Sequence, residues 1–382
     1  MTAAAVMDRS PSVVARRPAT LALLAALGLA ATIALAAVAG STTNPAAAAA
    51  NAQAIVDRWR TRTPVHAVTV AIGGPGAAVR TITSGRDGDQ PVEPDARFRA
   101  GSITKTFVAT LIVQLADEHR VDLDDRLSRY VRATPWGDVT LRQLLNHTGG
   151  VPDYAQAAGF NDDLLDRPAR QWTTTEVLDL VADREGDFAP GTAYAYSNTD
   201  YILLGQVIES VTRQPWAQAV RQRVIDPLGL RDTFVAGVET VPDGTVSGWF
   251  DTSGDGYDDR VSGPWPALDT TEGPAGALVS TAPDLARFAR ALFDGDLVSP
   301  GARREMITPQ PFHPLHSNYG LGVELRRPDY HTTVWGHGGS LPGYRATMWY
   351  APSQRRVIVV LANAYRCNTD DLAQLLLTRD DA

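Results

Sequence analysis

The sequence predicts an α+β fold, in which both ends of the chain build one antiparallel sheet flanked by helices, with a mainly helical region inserted between them. Short β-rich runs separated by turn residues occur near both ends of the chain. The stretch between residues 121 and 296 instead shows helical periodicity interrupted by proline and glycine. With 382 residues, 44% of them hydrophobic and 20% charged, the chain can bury the core of a globular protein.

The N-terminus has the pattern of an export signal. Arg9, Arg16 and Arg17 precede an uncharged run over residues 18–40, which ends in the small-residue exit Ala37-Val38-Ala39. The run is also nearly long enough to span a bilayer, so an uncleaved membrane anchor is the alternative. Because arginine stays on the cytoplasmic side, the body is expected outside the cell in either case, secreted or anchored.

These patterns divide the chain into three parts. Residues 1–40 are predicted to be the signal peptide or anchor, residues 41–53 a linker, and residues 54–382 one folded domain. In that domain the predicted elements are, in order, a helix over 54–62, strands over 67–72 and 79–84, a buried helix over 104–118, helices over 141–145, 173–183, 200–212 and 283–293, strands over 332–335, 344–350 and 356–362, and a last helix over 371–377.

Charge and cysteine content exclude several kinds of partner. The net charge is −8 and no long basic run occurs, which argues against the phosphate-binding patch that a nucleic acid requires. Cys367 is the one cysteine, so an intrachain disulfide and a cysteine-based metal cluster are both excluded. No metal and no cofactor is predicted for the chain.

One lysine stands out among the basic residues. Of the 35 Lys and Arg in the chain, Lys105 is the only lysine. An arginine stays protonated near neutral pH, whereas a buried lysine can release its proton. Lys105 follows Ser102 by three residues at the start of a predicted helix, so the two side chains share a face, and a neutral amine there could activate the serine. The alternative is an N-cap serine beside a surface lysine.

A second cluster, Tyr194-Ala195-Tyr196-Ser197-Asn198, follows the turn at Ala189-Pro190-Gly191. In an extended segment Tyr196 and Asn198 point to the same side. Tyr196 could pass a proton between the serine and a leaving group, and Asn198 could hold Lys105 or a substrate carbonyl. The alternative is a plain turn before the next helix, with Tyr194 a packing residue.

The third cluster is Trp335-Gly336-His337-Gly338-Gly339-Ser340, at the end of a β-rich run. Glycines on an edge strand let another backbone approach closely, so a peptide substrate could dock there by strand addition. A backbone N–H near Ser340 could complete an oxyanion hole with that of Ser102. The alternative is a tight hairpin with a half-buried histidine.

Together the three clusters resemble the serine β-lactamase and penicillin-binding-protein superfamily. Ser102 to Lys105 match its S-x-x-K motif, Tyr196 to Asn198 its Y-x-N motif, and His337-Gly338-Gly339 its H-x-G triad. The order and wide spacing are similar to the class C-like branch, which contains D-alanyl-D-alanine carboxypeptidases, AmpC-type β-lactamases and related esterases. The resemblance covers about residues 56–377 and implies a serine β-lactamase/transpeptidase-like fold. The His147 segment is similar to a connecting segment of that family, and His147 is interpreted as a loop-capping residue.

The resemblance implies that Ser102 attacks an amide or lactam carbonyl, that Lys105 and Tyr196 share the proton transfers, and that an acyl-enzyme forms. It implies that Asn198 and His337 belong to the catalytic site, with His337 tuning Tyr196 or a substrate carboxylate, and that Gly338, Gly339 and Ser340 bind substrate. We expect a small-molecule or peptide substrate, either a D-alanyl peptide or a β-lactam.

The finer function stays open at this level. A D-alanyl-D-alanine carboxypeptidase acting on cell-wall peptides is the leading expectation. A β-lactamase or an esterase of the same fold is the alternative, and a slowly turning over sensor of β-lactams or muropeptides is a third. Gly338 stands where many relatives carry a hydroxyl residue, which removes one possible bond to a substrate carboxylate; Arg326, Arg327 or Ser340 could compensate.

Overall fold

The structure, a computed structural model, describes residues 45–132, 134–253, 258–310, 317–328 and 332–379. The segment predicted to be a signal peptide or anchor, residues 1–40, lies outside this range, so its export role stays a prediction. Among the described residues, no helix is both long enough and apolar enough to cross a membrane. From Pro45 onward these residues belong to one compact unit.

Helices account for most of the middle of the chain. They are α1 (Pro45–Thr61), α2 (Ile103–Asp117), α3 (Leu141–Leu145), α4 (Phe160–Asp166), α5 (Thr174–Asp179), α6 (Asn198–Thr212), α7 (Trp216–Val220), α8 (Pro266–Gly276), α9 (Ala282–Phe293), α10 (Pro300–Met306) and α11 (Thr369–Arg379). Capping boxes begin α3 and α5, where a threonine and the residue three positions later bond each other's backbone N–H.

The strands lie mainly at the two ends of the described chain. They are β1 (Ala67–Gly73), β2 (Arg80–Asp87), β3 (Gln90–Pro91), β4 (Phe98–Arg99), β5 (Phe234–Val235), β6 (Gly248–Phe250), β7 (Asp259–Val261), β8 (Leu278–Ser280), β9 (Ser317–Tyr319), β10 (Glu324–Arg326), β11 (Val334–Leu341), β12 (Tyr344–Ala351) and β13 (Arg356–Ala362).

The main sheet joins the two ends of the chain, as predicted. Among the described residues its strand order is β3-β2-β1-β13-β12-β11-β10-β9, with antiparallel pairing throughout. The N-terminal and C-terminal halves meet where β1 pairs with β13, with Val68 opposite Ala362. The predicted α+β architecture with an inserted helical region is therefore confirmed.

Helices cover both faces of the main sheet. The side chains of β1 point alternately into the hydrophobic core on one face and the core on the other. Val68, Val70 and Ile72 face a core shared with α1 and α11, whereas Ala67 and Ala71 face the larger core that contains α2 and α9. Helix α2 is almost wholly buried in that larger core. Its N-terminus consequently lies against β11, where the second and third sequence clusters also converge.

Two predicted boundaries are wrong. Helix α1 begins at Pro45, so residues 45–53 are helical rather than linker. Alanine is the strongest helix former, and Ala52 and Val56 bury fully against the sheet, so composition alone misread the segment. Strand β11 also continues through the third cluster to Leu341, because pairing with β12 offsets the low strand propensity of its glycines.

Candidate active site

Ser102 occupies the N-cap position of α2, at a turn held against β8. The Ala100 N–H donates to the Leu278 carbonyl at 2.8 Å. The Thr104 hydroxyl donates to the Gly101 carbonyl at 2.7 Å and accepts the Leu278 N–H at 3.0 Å. Among the described residues the Ser102 N–H has no acceptor, so it remains available at the helix N-terminus to stabilise negative charge.

Lys105 lies one turn further along α2 with its side chain fully buried. Its Nζ is 2.7 Å from Asn198 Oδ1, 2.8 Å from the Ala275 carbonyl oxygen and 3.1 Å from Ser102 Oγ. The first two partners can only accept, whereas the serine hydroxyl can also donate. A neutral amine would thus donate both of its protons to the carbonyl oxygens and direct its lone pair at the Ser102 O–H. This is the geometry of a general base for the serine.

Several charges act on the Lys105 amine. Burial lowers the pKa of Lys105 from its ordinary value, and this effect outweighs the opposing influence of four acidic residues, Glu272, Asp153, Asp200 and Glu324. Glu272 contributes the largest of these attractions. Burial in turn raises the pKa of Glu272, while the lysine lowers it. The site therefore favours a neutral amine at a pH where an exposed lysine would be charged.

Replacing Glu272 by glutamine should change the pH dependence of acylation. Without its carboxylate the protonated amine loses the strongest attraction that stabilises it, so the pKa of Lys105 falls further. The acidic limb of the kcat/KM profile should then move to lower pH by about one unit. Steady-state profiles between pH 5 and 10 measure the shift. Glu118→Gln, at the opposite end of α2, serves as the matched control, and an unchanged or alkaline-shifted limb in Glu272→Gln would contradict the assignment.

Tyr196 completes the group around the serine. It lines the same cavity as Ser102, and its ring centroid is 4.8 Å from Lys105 Nζ. Burial raises the pKa of Tyr196 well above its ordinary value, and the neighbouring Ser102 hydroxyl lowers it by less. Tyr196 is consequently a phenol near neutral pH, suited to donate a proton rather than to act as a phenolate base.

Asn198, the first residue of α6, is oriented by a carboxylate that the sequence analysis missed. Its Nδ2 lies 3.3 Å from both carboxylate oxygens of Asp153, and its backbone N–H donates to Asp153 Oδ1 at 3.1 Å. With Nδ2 committed to Asp153, the amide must present Oδ1 to Lys105. Asp153 thus fixes the amide orientation that holds the Lys105 amine.

His337 lies on β11 with 1% of its surface exposed, and it contacts two residues the sequence analysis did not select. Its Nδ1 faces the Gly338 carbonyl and lies 3.5 Å from a Glu324 oxygen, while Nε2 is 2.8 Å from the Tyr319 hydroxyl. Because a carbonyl can only accept, the proton sits on Nδ1, and Nε2 accepts the Tyr319 O–H. Burial lowers the pKa of His337 despite the nearby Glu324 carboxylate.

The expected tuning of Tyr196 by His337 is therefore indirect in this structure. Their ring centroids are 6.4 Å apart, and the Tyr319 ring lies edge-on to both. The hydrogen bond of His337 goes to Tyr319 rather than to Tyr196. Neither Tyr319 nor Glu324 belongs to a motif, and only the pairing of β9 and β10 beside β11 brings them to the site.

Strand β11 passes very close to the turn that carries Ser102. A Cβ added to Gly339 would lie 2.0 Å from the Ala100 carbonyl oxygen, and one added to Gly101 would lie 2.9 Å from the Ser340 nitrogen. Gly101 also has a φ of +55°, a conformation that favours glycine. The Ser340 backbone nitrogen thus lies beside the turn before Ser102, where the sequence predicts the second oxyanion donor.

A cavity of about 290 Å³ opens beside these residues. It is lined by Ser102, Tyr196, Glu324, Arg326, His337, Gly338, Gly339, Ser340, Arg345, Ala346, Thr347, Cys367, Asn368, Thr369 and Asp370. Ser102, Tyr196 and His337 line this cavity, Lys105 is hydrogen-bonded to Ser102, and Asn198 is linked to the cavity only through its hydrogen bond to Lys105. All three predicted substrate-binding residues line it as well.

Arg326, one of the residues expected to compensate for Gly338, is already engaged. It forms ion pairs with Glu324 and Asp370. Arg345 lies opposite Ser340 in the β11–β12 pair and lines the same cavity. Its Nε donates to the Tyr365 carbonyl at 2.9 Å, and among the described residues no carboxylate lies within ion-pair distance of its guanidinium.

Comparisons with known proteins agree with this geometry. A family model described as Beta-lactamase matches residues 46–381. The chain is 30% identical over 294 residues to penicillin-binding protein 4 of Amycolatopsis lactamdurans, an alignment that covers 71% of this chain and 73% of the relative. It is 27% identical over 342 residues to a D-aminopeptidase of Gluconobacter oxydans, covering 83% of this chain but 61% of that longer protein.

Among solved structures, the chain resembles a D-stereospecific amidohydrolase from a Streptomyces species. The TM-score is 0.78 at 30% identity, and the alignment covers 86% of this chain and 98% of the other. A D-amino acid amidase from Ochrobactrum anthropi has the same TM-score at 29% identity, with 86% and 97% covered.

Proposed function

Since the chain belongs to the β-lactamase family of serine hydrolases, we propose that it hydrolyses amide bonds next to D-amino acid residues through an acyl-enzyme on Ser102. The observation that carries this proposal is the contact between Lys105 Nζ and Ser102 Oγ at 3.1 Å, with both other contacts of the amine made to carbonyl oxygens. A serine so activated attacks carbonyl carbon, and both a peptide amide and a lactam offer one.

In the proposed reaction, Ser102 Oγ bonds to the substrate carbonyl carbon while its proton moves to Lys105 Nζ. The carbonyl oxygen becomes an oxyanion stabilised by the N–H groups of Ser102 and Ser340. When the C–N bond breaks, the leaving nitrogen takes a proton from the Tyr196 hydroxyl, which is restored from Lys105. Water then attacks the ester carbon and gives a proton to the same pair of groups, which return it to Ser102 Oγ as the bond between Oγ and the carbonyl carbon breaks.

We restrict the proposed substrates to those with D-amino acid residues because of the names of three similar proteins. Of the proteins named above, the aminopeptidase, the amidohydrolase and the amidase all carry the D-configuration in their names. Two finer functions fit this class: release of a C-terminal D-residue, as in a D-alanyl-D-alanine carboxypeptidase, and cleavage after an N-terminal D-residue, as in a D-aminopeptidase. Arg345 favours the first, because a guanidinium facing the cavity without an internal carboxylate suits a substrate carboxylate. The name of the Gluconobacter oxydans relative, a D-aminopeptidase, favours the second.

A substrate panel on the purified full chain tests the proposal. We expect turnover of either a diacyl-L-Lys-D-Ala-D-Ala peptide or D-phenylalanine amide, and no turnover of the matching peptide or amide with L-residues. Replacement of Arg345 by glutamine should raise KM for the peptide and leave that for the amide unchanged. Equal rates on D- and L-substrates would refute the stereochemical proposal.

Labelling with a fluorescent penicillin separates the remaining alternatives. Lasting label on Ser102 supports a carboxypeptidase or a slowly turning over sensor, and peptide turnover distinguishes these two. Rapid loss of label with hydrolysed drug indicates a β-lactamase. Absence of label, with turnover of a short-chain ester, indicates an esterase. Peptide mapping by mass spectrometry locates the label, and a label on any other serine would overturn the proposed site.

A further inference from the structure

The His147 ring packs against the Tyr196 ring, although His147 belongs to none of the three sequence clusters. The two ring centroids are 4.3 Å apart, and His147 is fully buried. The backbone on both sides of Tyr196 is tied to this one residue. The Ala195 N–H donates to the His147 carbonyl at 3.1 Å, and the Ser197 N–H donates to His147 Nδ1 at 3.3 Å. The position of Tyr196 over the site thus depends on His147 through two hydrogen bonds and one ring contact.

The backbone of His147 adopts a left-handed conformation. Its φ is +59°, in the left-handed region that residues other than glycine seldom adopt. This backbone conformation directs both its carbonyl and its ring toward the Tyr196 segment. The interpretation of His147 as a simple loop-capping residue therefore understates its contacts.

Two contacts meet at His147 Nδ1, and together they define its protonation. A backbone nitrogen can only donate, so the Ser197 N–H requires a lone pair on Nδ1. Asp200 Oδ2 lies 2.8 Å from the same nitrogen. Because a hydrogen on Nδ1 would point at the Ser197 N–H, the tautomer that keeps this bond takes the hydrogen of the Asp200 contact from the carboxyl group.

Two features of Asp200 agree with a protonated carboxyl group. Its Oδ1 is buried and has no hydrogen-bond donor among the described residues, an arrangement that would be costly for a carboxylate. Burial and the neighbouring Asp153 both raise the pKa of Asp200, and Lys105 only partly opposes them.

We propose that His147 is a positioning residue for Tyr196: its neutral ring, held by the Asp200 carboxylic acid, accepts the Ser197 N–H and fixes the Tyr196 hydroxyl beside Ser102. The part of this inference that concerns reaction rate rests on the proposed function. The part that concerns the hydrogen bond does not, so the two can fail separately.

Two substitutions at one position isolate the side-chain acceptor. Asparagine and glycine both tolerate a positive φ, but only asparagine offers an oxygen near the place of Nδ1. His147→Gly should lower the rate constant for acylation by a labelled penicillin about 10- to 100-fold, with the dissociation constant of the initial complex changed less than about twofold. His147→Asn should stay within about threefold of the unsubstituted protein. Equal losses in the two variants, or a loss confined to binding, would refute the positioning role.

Amide hydrogen exchange tests the hydrogen bond without any substrate. In His147→Gly the Ser197 N–H should exchange faster than in His147→Asn, whereas the Ala195 N–H, bonded to the main-chain carbonyl, should exchange equally in both. Nitrogen NMR of the unsubstituted protein should show a neutral His147 ring protonated on Nε2. Matching exchange at Ser197 in the two variants, or a proton on Nδ1, would overturn the inference even if the enzyme is acylated as proposed.

Discussion

Substitution of Lys105 by arginine is expected to lower the acylation rate about 10³-fold or more, to the level of Ser102→Ala. Arginine keeps the positive charge and can still donate to Asn198 and the Ala275 carbonyl, but its guanidinium has no lone pair and does not lose its proton in this pH range. The general base for Ser102 would be absent while the charge remained. Stopped-flow acylation by a labelled penicillin, with intact-mass detection of the acyl-enzyme, measures the loss.

A smaller variant removes the objection that arginine is too large for this buried site. Lys105→Ala should be equally inactive, and a small primary amine such as ethylamine, diffusing into the space left by the side chain, should partly restore acylation. Guanidine at the same concentration should not, because it offers no neutral nitrogen at that pH. Retained activity in Lys105→Arg, or equal rescue by both compounds, would show that the lysine acts through its charge alone.

The contact between Ser102 and Lys105 can be predicted from the sequence because it depends only on the spacing of two residues that are close in the chain. Ser102 and Lys105 are one helical turn apart, so their contact follows as soon as α2 is recognised. Lys105 is also the only lysine in an arginine-rich chain. This indicates that its side chain transfers a proton rather than only supplying a positive charge. For Asn198 the sequence left two partners open, Lys105 or a substrate carbonyl. In the structure Asn198 Oδ1 lies 2.7 Å from Lys105 Nζ, so the first partner is the one observed.

The supporting residues could not be predicted because nothing local marks them. Asp153 meets Asn198 across 45 positions in the sequence, and His147 meets Asp200 across 53. Such pairs form only when α3 and the segment after it pack against α6, and no periodicity encodes that register. His147 illustrates the difficulty well, since it acts on Tyr196 through backbone N–H groups that any residue type at positions 195 and 197 except proline would supply.

The second substitution with a large expected effect on acylation is at Gly339, in the third sequence cluster. Gly339→Ala is expected to lower acylation about 10²- to 10³-fold. Its Cβ would lie 2.0 Å from the Ala100 carbonyl oxygen, so β11 must move away from the turn that carries Ser102 and take the Ser340 N–H with it. Loss of one oxyanion donor lowers the rate of the chemical step but leaves the remainder of the cavity in place. The acylation rate constant should therefore fall by a larger factor than the binding affinity.

The neighbouring glycine provides the matched control for this prediction. A Cβ on Gly338 would have no neighbour closer than 3.8 Å, namely the Ala346 carbonyl and a Glu324 oxygen, so Gly338→Ala should fold and should lose far less acylation rate than Gly339→Ala. The two variants add the same methyl group to adjacent residues of one strand and differ only in what that group meets. Thermal melting shows whether either variant is destabilised. If both variants lost activity equally, glycine would be required for strand flexibility, and if Gly339→Ala were fully active, the Ser340 N–H would have no part in stabilising the oxyanion.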